Sequence, residues 1–134
     1  MNKICTISGC PCRRTLFNFI SCSEAFLTEF PNQFNDQCGT CYPPNNIEHL
    51  ALDFQDVEEL NEVGVFQKLS SLSLSNNKLR HIDKEVFRDN QDLRFLALAQ
   101  NDLNSIEAGA LDPLIFAKTI HLSDNPNLKN ITTK

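Results

Sequence analysis

The chain has 134 residues, of which 41% are hydrophobic and 22% are charged, and its formal net charge is −5. This length allows a single domain with a modest core. The acidic balance and the lack of a basic cluster argue against nucleic acid as a partner and against a polybasic membrane-surface role. No apolar stretch approaches the roughly 20 residues needed to cross a bilayer, so we predict no membrane-spanning segment.

The first third of the chain is rich in cysteine, because all six cysteines lie between Cys5 and Cys41. An even number of cysteines in a short segment is typical of a local disulfide framework, which persists in oxidising compartments. No apolar leader precedes Cys5, so we expect a chain whose leader has been removed, with a cytosolic protein as the alternative. We predict a secreted protein, or one on the extracellular face of the cell surface.

Cys38-Gly39-Thr40-Cys41 is the one motif with the potential for enzyme chemistry. A C-x-x-C pair serves thiol redox chemistry when a helix follows it, but Tyr42-Pro43-Pro44 follows here, and proline disfavours helical geometry at the preceding residue. Zinc held by this pair together with Cys10 and Cys12 is a second alternative. We favour a structural disulfide between Cys38 and Cys41, and we predict no catalytic site, no cofactor and no metal.

A repeat of 24 residues follows the cysteine-rich segment. The residues Leu69, Leu72, Leu74, Asn77, Leu79 and Ile82 recur as Leu93, Leu96, Leu98, Asn101, Leu103 and Ile106. A later unit carries Ala117, Ile120, Leu122 and Asn125 and then slips by one residue, and an earlier unit carries Ile47, Leu50, Leu52 and Gln55. These matches define four units: 47–68, 69–92, 93–116 and 117–134.

This pattern resembles the leucine-rich-repeat family, L-x-x-L-x-L-x-x-N-x-L, from residue 47 to about residue 131. The alternation in L-x-L predicts a short strand in each unit. The resemblance implies an α/β-type repeat solenoid, a short curved horseshoe whose parallel strands line a concave face. It also implies a ladder of Asn77, Asn101 and Asn125 bonded to the backbone. Large apolar residues are expected before the next unit on the convex side, at Phe66, Phe87 and Leu111.

Residues 1–46 resemble the cysteine-rich N-terminal cap of animal extracellular members of this family. Cys5, Cys10, Cys12 and Cys22 follow the order of that cap. The resemblance implies the bonds Cys5–Cys12 and Cys10–Cys22, although the residues alone leave other pairings open. Residues 32–42 form an insertion that the usual cap lacks. No cysteine-rich C-terminal cap follows the last unit.

The outward positions of the predicted strands form columns across the four units. The columns are His49, Ser71, Phe95 and Thr119; Ala51, Ser73, Ala97 and His121; Asp53, Ser75, Ala99 and Ser123; and Phe54, Asn76, Gln100 and Asp124. From these columns we predict a binding face that uses His49, Asp53, Phe54, Ser71, Ser73, Phe95, Gln100, His121 and Asp124.

Phe54 and Phe95 are large apolar residues at positions where the pattern predicts exposure. Aromatic residues are enriched among interface hot spots, which favours a binding role for both. The alternative is that each folds over a neighbouring strand, or that the insertion near Tyr42 covers Phe54. The insertion itself is the alternative binding surface, because loops often carry function.

The three histidines, His49, His81 and His121, show no metal-ligand spacing, and we interpret them as surface residues. Residues for a Ser/His/Asp catalytic set are not apparent either. Asn130-Ile131-Thr132 is the one N-x-[ST] sequon of the chain, so Asn130 is the predicted glycosylation site.

The family resemblance implies a non-enzymatic extracellular module that binds a protein ligand, as a receptor or secreted recognition protein. Its relatives act in immunity, adhesion, guidance and hormone reception, so this is an expectation at the level of the fold. A self-associating structural protein is the first alternative, with a homodimer formed through the apolar end at Leu122, Leu128 and Ile131. A thiol oxidoreductase that uses Cys38 and Cys41 is the second alternative.

Overall fold

A computed structural model describes residues 13–16, 19–21, 47–61, 63–128 and 130–131. The three predicted disulfides and the insertion at residues 32–42 lie outside these residues. In the part of the chain that is described, no helix is long and apolar enough to cross a membrane.

The described residues include nine short strands. They are β1 (Arg13–Leu16), β2 (Phe19–Ser21), β3 (His49–Ala51), β4 (Ser71–Ser73), β5 (His81–Ile82), β6 (Phe95–Ala97), β7 (Ser105–Ile106), β8 (Thr119–His121) and β9 (Asn130–Ile131). The larger sheet has the order β1-β2-β3-β4-β6-β8, and the smaller sheet has the order β5-β7-β9. Only β1 and β2 pair antiparallel, and every other pair is parallel.

The register of the larger sheet confirms the repeat. Leu50, Leu72, Leu96 and Ile120 align across β3, β4, β6 and β8. The first three of these side chains lie in the core, and because side chains alternate along a strand, their neighbours point outward. The two strand columns predicted from the sequence are therefore confirmed.

The smaller sheet was not predicted as a set of strands. Ile82 and Ile106 are buried and aligned across β5 and β7, so the apolar repeat position at the end of each unit is a strand residue. The partner of Ser105 in β9 is Asn130, 25 positions later, whereas His81 and Ser105 are 24 positions apart. This extra residue is the slip that the sequence shows after Asn125.

Turns and a 3-10 helix at Val63–Val65 join the strands, and the described residues contain no α-helix. The connecting segments close on themselves through short-range backbone bonds, such as Phe66 N to Val63 O and Ala110 N to Glu107 O, both 3.0 Å. The α part of the expected α/β solenoid is therefore not seen in the described residues. What they form is a repeat solenoid of strands and turns.

The predicted asparagine ladder is confirmed. The Asn77 side-chain nitrogen donates to the backbone oxygens of Leu52 and Leu74, both at 3.0 Å, and its oxygen accepts from the Val57 N–H at 3.1 Å. Asn101 and Asn125 repeat this arrangement one and two units later. Each buried amide thereby satisfies backbone groups of two successive units, which would otherwise lie in the core without partners.

The apolar positions before each next unit differ from the expected alignment. Matching turn bonds show that Val63, Phe87 and Leu111 occupy one position of the unit, whereas Phe66, Asn90 and Leu114 occupy another. Phe66 and Phe87 are both fully buried, but they are not equivalent residues. The two positions are three residues apart, so either one satisfies an apolar pattern read from the sequence.

Asn90 is a second buried asparagine that the sequence analysis missed. Its side chain is 0% exposed and its nitrogen donates to the backbone oxygens of Val63 and Phe66, both at 3.1 Å. Its side-chain oxygen has no hydrogen-bond partner. Asn90 therefore places an amide at a position that is apolar in other units. Its two hydrogen bonds join its own turn to the preceding turn, which contains Val63 and Phe66.

Candidate functional site

The candidate site is the outward surface of the larger sheet, which we call the sheet face. Its two strand columns are extended by β2, where Phe19 aligns with His49 and Ser21 aligns with Ala51. Neighbouring strands lie about 4.8 Å apart, so the five strands from β2 to β8 span roughly 19 Å. All nine predicted binding residues lie on this face or directly after its strands.

Two pairs of aromatic and imidazole rings stand on the sheet face. The ring centroids of Phe19 and His49 are 5.7 Å apart, and those of Phe95 and His121 are 5.6 Å apart in an edge-on arrangement. His49 and His121 are not neighbours, as expected, because β4 and β6 separate their strands. Each histidine instead has a phenylalanine beside it.

Phe95 is half-buried rather than fully exposed. Its ring leans against His121 of the neighbouring strand, which agrees with the alternative that Phe95 folds over its neighbour. Part of the ring still faces outward, so a partner can reach it.

Phe54 differs from Phe95, because 74% of its surface is exposed. Its backbone φ is 61°, in the left-handed region. Asn76, Gln100 and Asp124 share this conformation at the same position of their units, with φ of 62°, 57° and 59°. The chain turns there out of the strand, just before each ladder residue. Asparagine and aspartate tolerate the left-handed region well, whereas a bulky residue is rare there.

Between the two ring pairs the face has small side chains. Ser71 and Ser73 lie on β4, and Ala97 beside Ser73 is buried. The Asp53 carboxylate accepts hydrogen bonds from the Ser73 hydroxyl at 2.6 Å and from the Ser75 N–H at 2.9 Å. Asp53 and Ser73 therefore already join two units, which leaves fewer of their hydrogen-bonding groups for a partner.

The remaining predicted residues sit at the exits of the strands. Gln100 and Asp124 are exposed in the fourth column, and their backbone bonds follow the ladder, as in Gln100 N to Ser123 O at 2.9 Å. On the opposite side of the strands, Arg94 and Lys118 are exposed immediately before β6 and β8. The part of the face around β6 and β8 thus has basic side chains at both strand entries and one acidic side chain, Asp124, at the exit of β8.

Other candidate residues lie elsewhere. His81 is in β5 and Asn130 is in β9, so both belong to the smaller sheet. The structure also corrects the expectation that the chain has no Ser/His/Asp set: Ser105, His81 and Asp83 lie in contact there. Phe19 was missed as a member of the sheet face, because β2 lies before the first repeat unit and the repeat therefore does not place it.

The comparison with known families agrees with this geometry. The family model described as Leucine rich repeat matches residues 67–126. Over these 60 of the 134 residues the chain is similar to leucine-rich repeats. The match covers the units 69–92 and 93–116 and reaches the ladder residue Asn125 of the last unit. Domains of this family generally mediate protein–protein interactions and are generally not enzymes.

Proposed function

We propose that this chain is a non-enzymatic, extracellular protein-binding module, part of a receptor or a secreted recognition protein, that holds its ligand on the sheet face. The exposed Phe54 carries the proposal. A left-handed conformation costs an ordinary residue roughly 1–2 kcal/mol, and the exposed ring gains little from burial in return. A side chain that is both strained and exposed indicates that Phe54 has a role in contact with a partner, which is absent from the free chain.

Burial of the Phe54 ring against a partner would provide the stabilisation that the exposed ring lacks in the free chain. Fully burying a phenylalanine side chain contributes about 1.5–3 kcal/mol. Hot spots of protein interfaces are rich in aromatic side chains that a partner encloses. Phe54 at a strand exit and Phe95 on the sheet face are aromatic residues placed to act in this way.

The shape of the sheet face favours an extended ligand segment. The pair Phe19–His49 and the pair Phe95–His121 stand on either side of β4, with Ser71 and Ser73 between them. His49 and Phe95 are two strand spacings apart, or about 10 Å. A helix with its side chains is about 10–12 Å wide, so a single extended strand or loop fits between the ring pairs more easily than a helix does.

Site-specific photo-crosslinking tests this function. The full chain carries a photoreactive phenylalanine analogue at Phe54 and, as a control, at Glu85, an exposed position outside the sheet face. Each form is incubated with an array of extracellular domains and with an array of cytosolic proteins. We expect a saturable crosslink from position 54 to one or a few extracellular domains, and none from position 85.

An affinity measurement on the captured domain completes the test. Phe54→Ala should weaken binding by about tenfold, or 1.4 kcal/mol, whereas Glu85→Ala should leave it unchanged. Crosslinks from both positions alike, or only to cytosolic proteins, would contradict the proposal.

Self-association is the second candidate function, and apolar residues at the end of the third unit and in the fourth unit favour it. Ile115 and Phe116 are 66% and 52% exposed. Ile120 and Leu122 are only half-buried, whereas their counterparts in the two preceding units are fully buried. A second copy on this surface would bury these residues. Light scattering over a range of concentrations tests it: a mass that rises with concentration in the wild type but not in Phe116→Asp supports self-association, and a constant monomer mass excludes it.

A further inference from the structure

Four polar side chains lie together on the outward side of the smaller sheet, and we call them the polar cluster: His81, Asp83, Ser105 and Glu107. Ile82 and Ile106 point into the core, so the residues on either side of them point outward. His81 lies opposite Ser105 in the register, and Asp83 and Glu107 follow as the next outward pair. The backbone bond from Glu107 N to Ile82 O, at 2.9 Å, keeps the second pair in line.

Side chains of the polar cluster are already in contact. Nδ1 of His81 lies 2.5 Å from the Ser105 hydroxyl oxygen, and its Nε2 lies 3.0 Å from a carboxylate oxygen of Asp83. Glu107 is anchored by the Lys84 N–H, which donates to its carboxylate at 2.7 Å. One ligand atom from each of His81, Asp83 and Glu107 lies within 4.8 Å of the other two.

Electrostatics favour a cation at this point. Two like charges on neighbouring segments repel each other, and a carboxylate oxygen of Asp83 lies within 4.8 Å of one of Glu107. Arg80, the basic residue immediately before His81, pairs with Glu58 at 3.2 Å.

We propose that His81, Asp83 and Glu107 bind one divalent transition-metal ion of the Zn²⁺ type. Imidazole nitrogen and carboxylate oxygen are zinc ligands, at about 2.0–2.2 Å from the ion, and an imidazole ligand disfavours the hard cations Ca²⁺ and Mg²⁺. Ser105 holds Nδ1 of the ring, which leaves Nε2 to face the ion, as is common where a second residue orients a metal-bound histidine.

A hydrolytic role for Ser105, His81 and Asp83 is the rival use of the same residues. Acyl transfer depends on donors that act in a site from which water is excluded. The His81 and Asp83 side chains are 45% and 69% exposed, and the serine contacts the ring through Nδ1. The second carboxylate, Glu107, has no place in such a set but completes a metal site.

Titration calorimetry of the full, air-oxidised chain with Zn²⁺ tests the proposal. We expect saturable binding of one ion, at least about tenfold weaker in His81→Ala and in Glu107→Gln, and about tenfold weaker in Ser105→Ala because the ring loses its orienting partner. His121→Ala, an exposed histidine of the sheet face, is the matched control and should bind as the wild type does.

Cobalt substitution separates this site from the six cysteines. Co²⁺ held by imidazole and carboxylates lacks the intense charge-transfer absorption that cobalt–thiolate bonds give. Binding that shows this absorption and survives His81→Ala would assign the ion to cysteine and overturn the proposal. Absence of Zn²⁺ binding would also overturn it and leave an ordinary ion pair between His81 and Asp83. Thermal melting of every variant checks that its fold is intact.

Discussion

The Asn77 side-chain nitrogen donates to the backbone oxygen of Leu52, 25 residues earlier in the chain, over 3.0 Å. The same nitrogen also reaches the backbone oxygen of Leu74 in its own unit. A single amide therefore serves two units at once. A carboxylate or a hydroxyl could not do this, since an amide offers two donors and an acceptor in one plane.

Replacing the central ladder residue should destabilise the fold strongly. Asn101→Ala removes donors to the oxygens of Leu74 and Leu98 and the acceptor for the Leu79 N–H. Each buried group left without a partner costs about 1–3 kcal/mol, so we expect a loss of at least about 3 kcal/mol in the free energy of unfolding, measured by urea denaturation. Asp102→Asn, at the exposed neighbouring position, should change it by less than about 0.5 kcal/mol. Similar values for both variants would refute the role of the ladder.

Phe54→Asn should stabilise the free chain while it weakens ligand binding. Asparagine tolerates the left-handed region better than phenylalanine, and the exposed ring contributes little packing, so we expect a gain of about 0.5–1 kcal/mol. The matched reverse change, Asn76→Phe, places a phenylalanine at the same position of the next unit and should cost a similar amount. Thermal and urea unfolding measure both. A destabilised Phe54→Asn would mean that the ring already packs against the chain.

Asn90→Asp should make stability depend on pH. The new carboxylate would be fully buried and would face the oxygens of Val63 and Phe66 instead of donating to them. Burial and these acceptors would raise its pKa in the folded state above the unfolded value, so the folded state would bind the proton more tightly. The penalty should be about 3 kcal/mol near neutral pH and should shrink as the pH falls toward the ordinary aspartate pKa of about 4.

The control for this variant is Asn104→Asp, at an exposed asparagine of the next unit. Urea denaturation at several pH values compares the two. Parallel pH profiles for Asn90→Asp and Asn104→Asp would show that Asn90 is not held in a closed environment.

The proposed extracellular location predicts a fully oxidised chain. We expect the intact mass of the natively secreted protein to be lower by two hydrogens for each of three bonds among its six cysteines, with no alkylation before reduction. Peptide mapping should recover the pairs Cys5–Cys12, Cys10–Cys22 and Cys38–Cys41. Free thiols would instead favour an intracellular protein, and reduction of insulin that is lost in Cys38→Ser would revive the oxidoreductase alternative.

The larger sheet could be predicted from the sequence because two regularities coincide in it. The repeat, with a first unit of 22 residues and later ones of 24, fixes which residues are neighbours across strands, and the alternation along L-x-L fixes which side chains point outward. Together they placed His49, Ser71 and Phe95 in one column, as the register shows. The asparagine ladder followed from the same period.

The smaller sheet and the turns could not be predicted in the same way. A strand of two residues such as His81–Ile82 shows no alternation. In the turns, Asn90 occupies a position that holds Phe66 and Leu114 in other units, so an apolar pattern passes over it. The cluster of His81, Asp83 and Glu107 was missed because Glu107 comes from the next unit, 26 residues after His81. Its spacing matches no local ligand motif, and only the strand register joins the three.

The strands of the larger sheet are stacked in a single row, and this arrangement determines how the fold can be lost. In the larger sheet each of β4 and β6 pairs only with the neighbouring strand on either side. Each unit is therefore stabilised only by its immediate neighbours, and a defect in one unit interrupts this stabilisation along the array. Damage in an outer unit should fray that end and leave the rest intact. Damage at the centre should instead divide the array into two halves that melt separately, each too short to hold its own core for long.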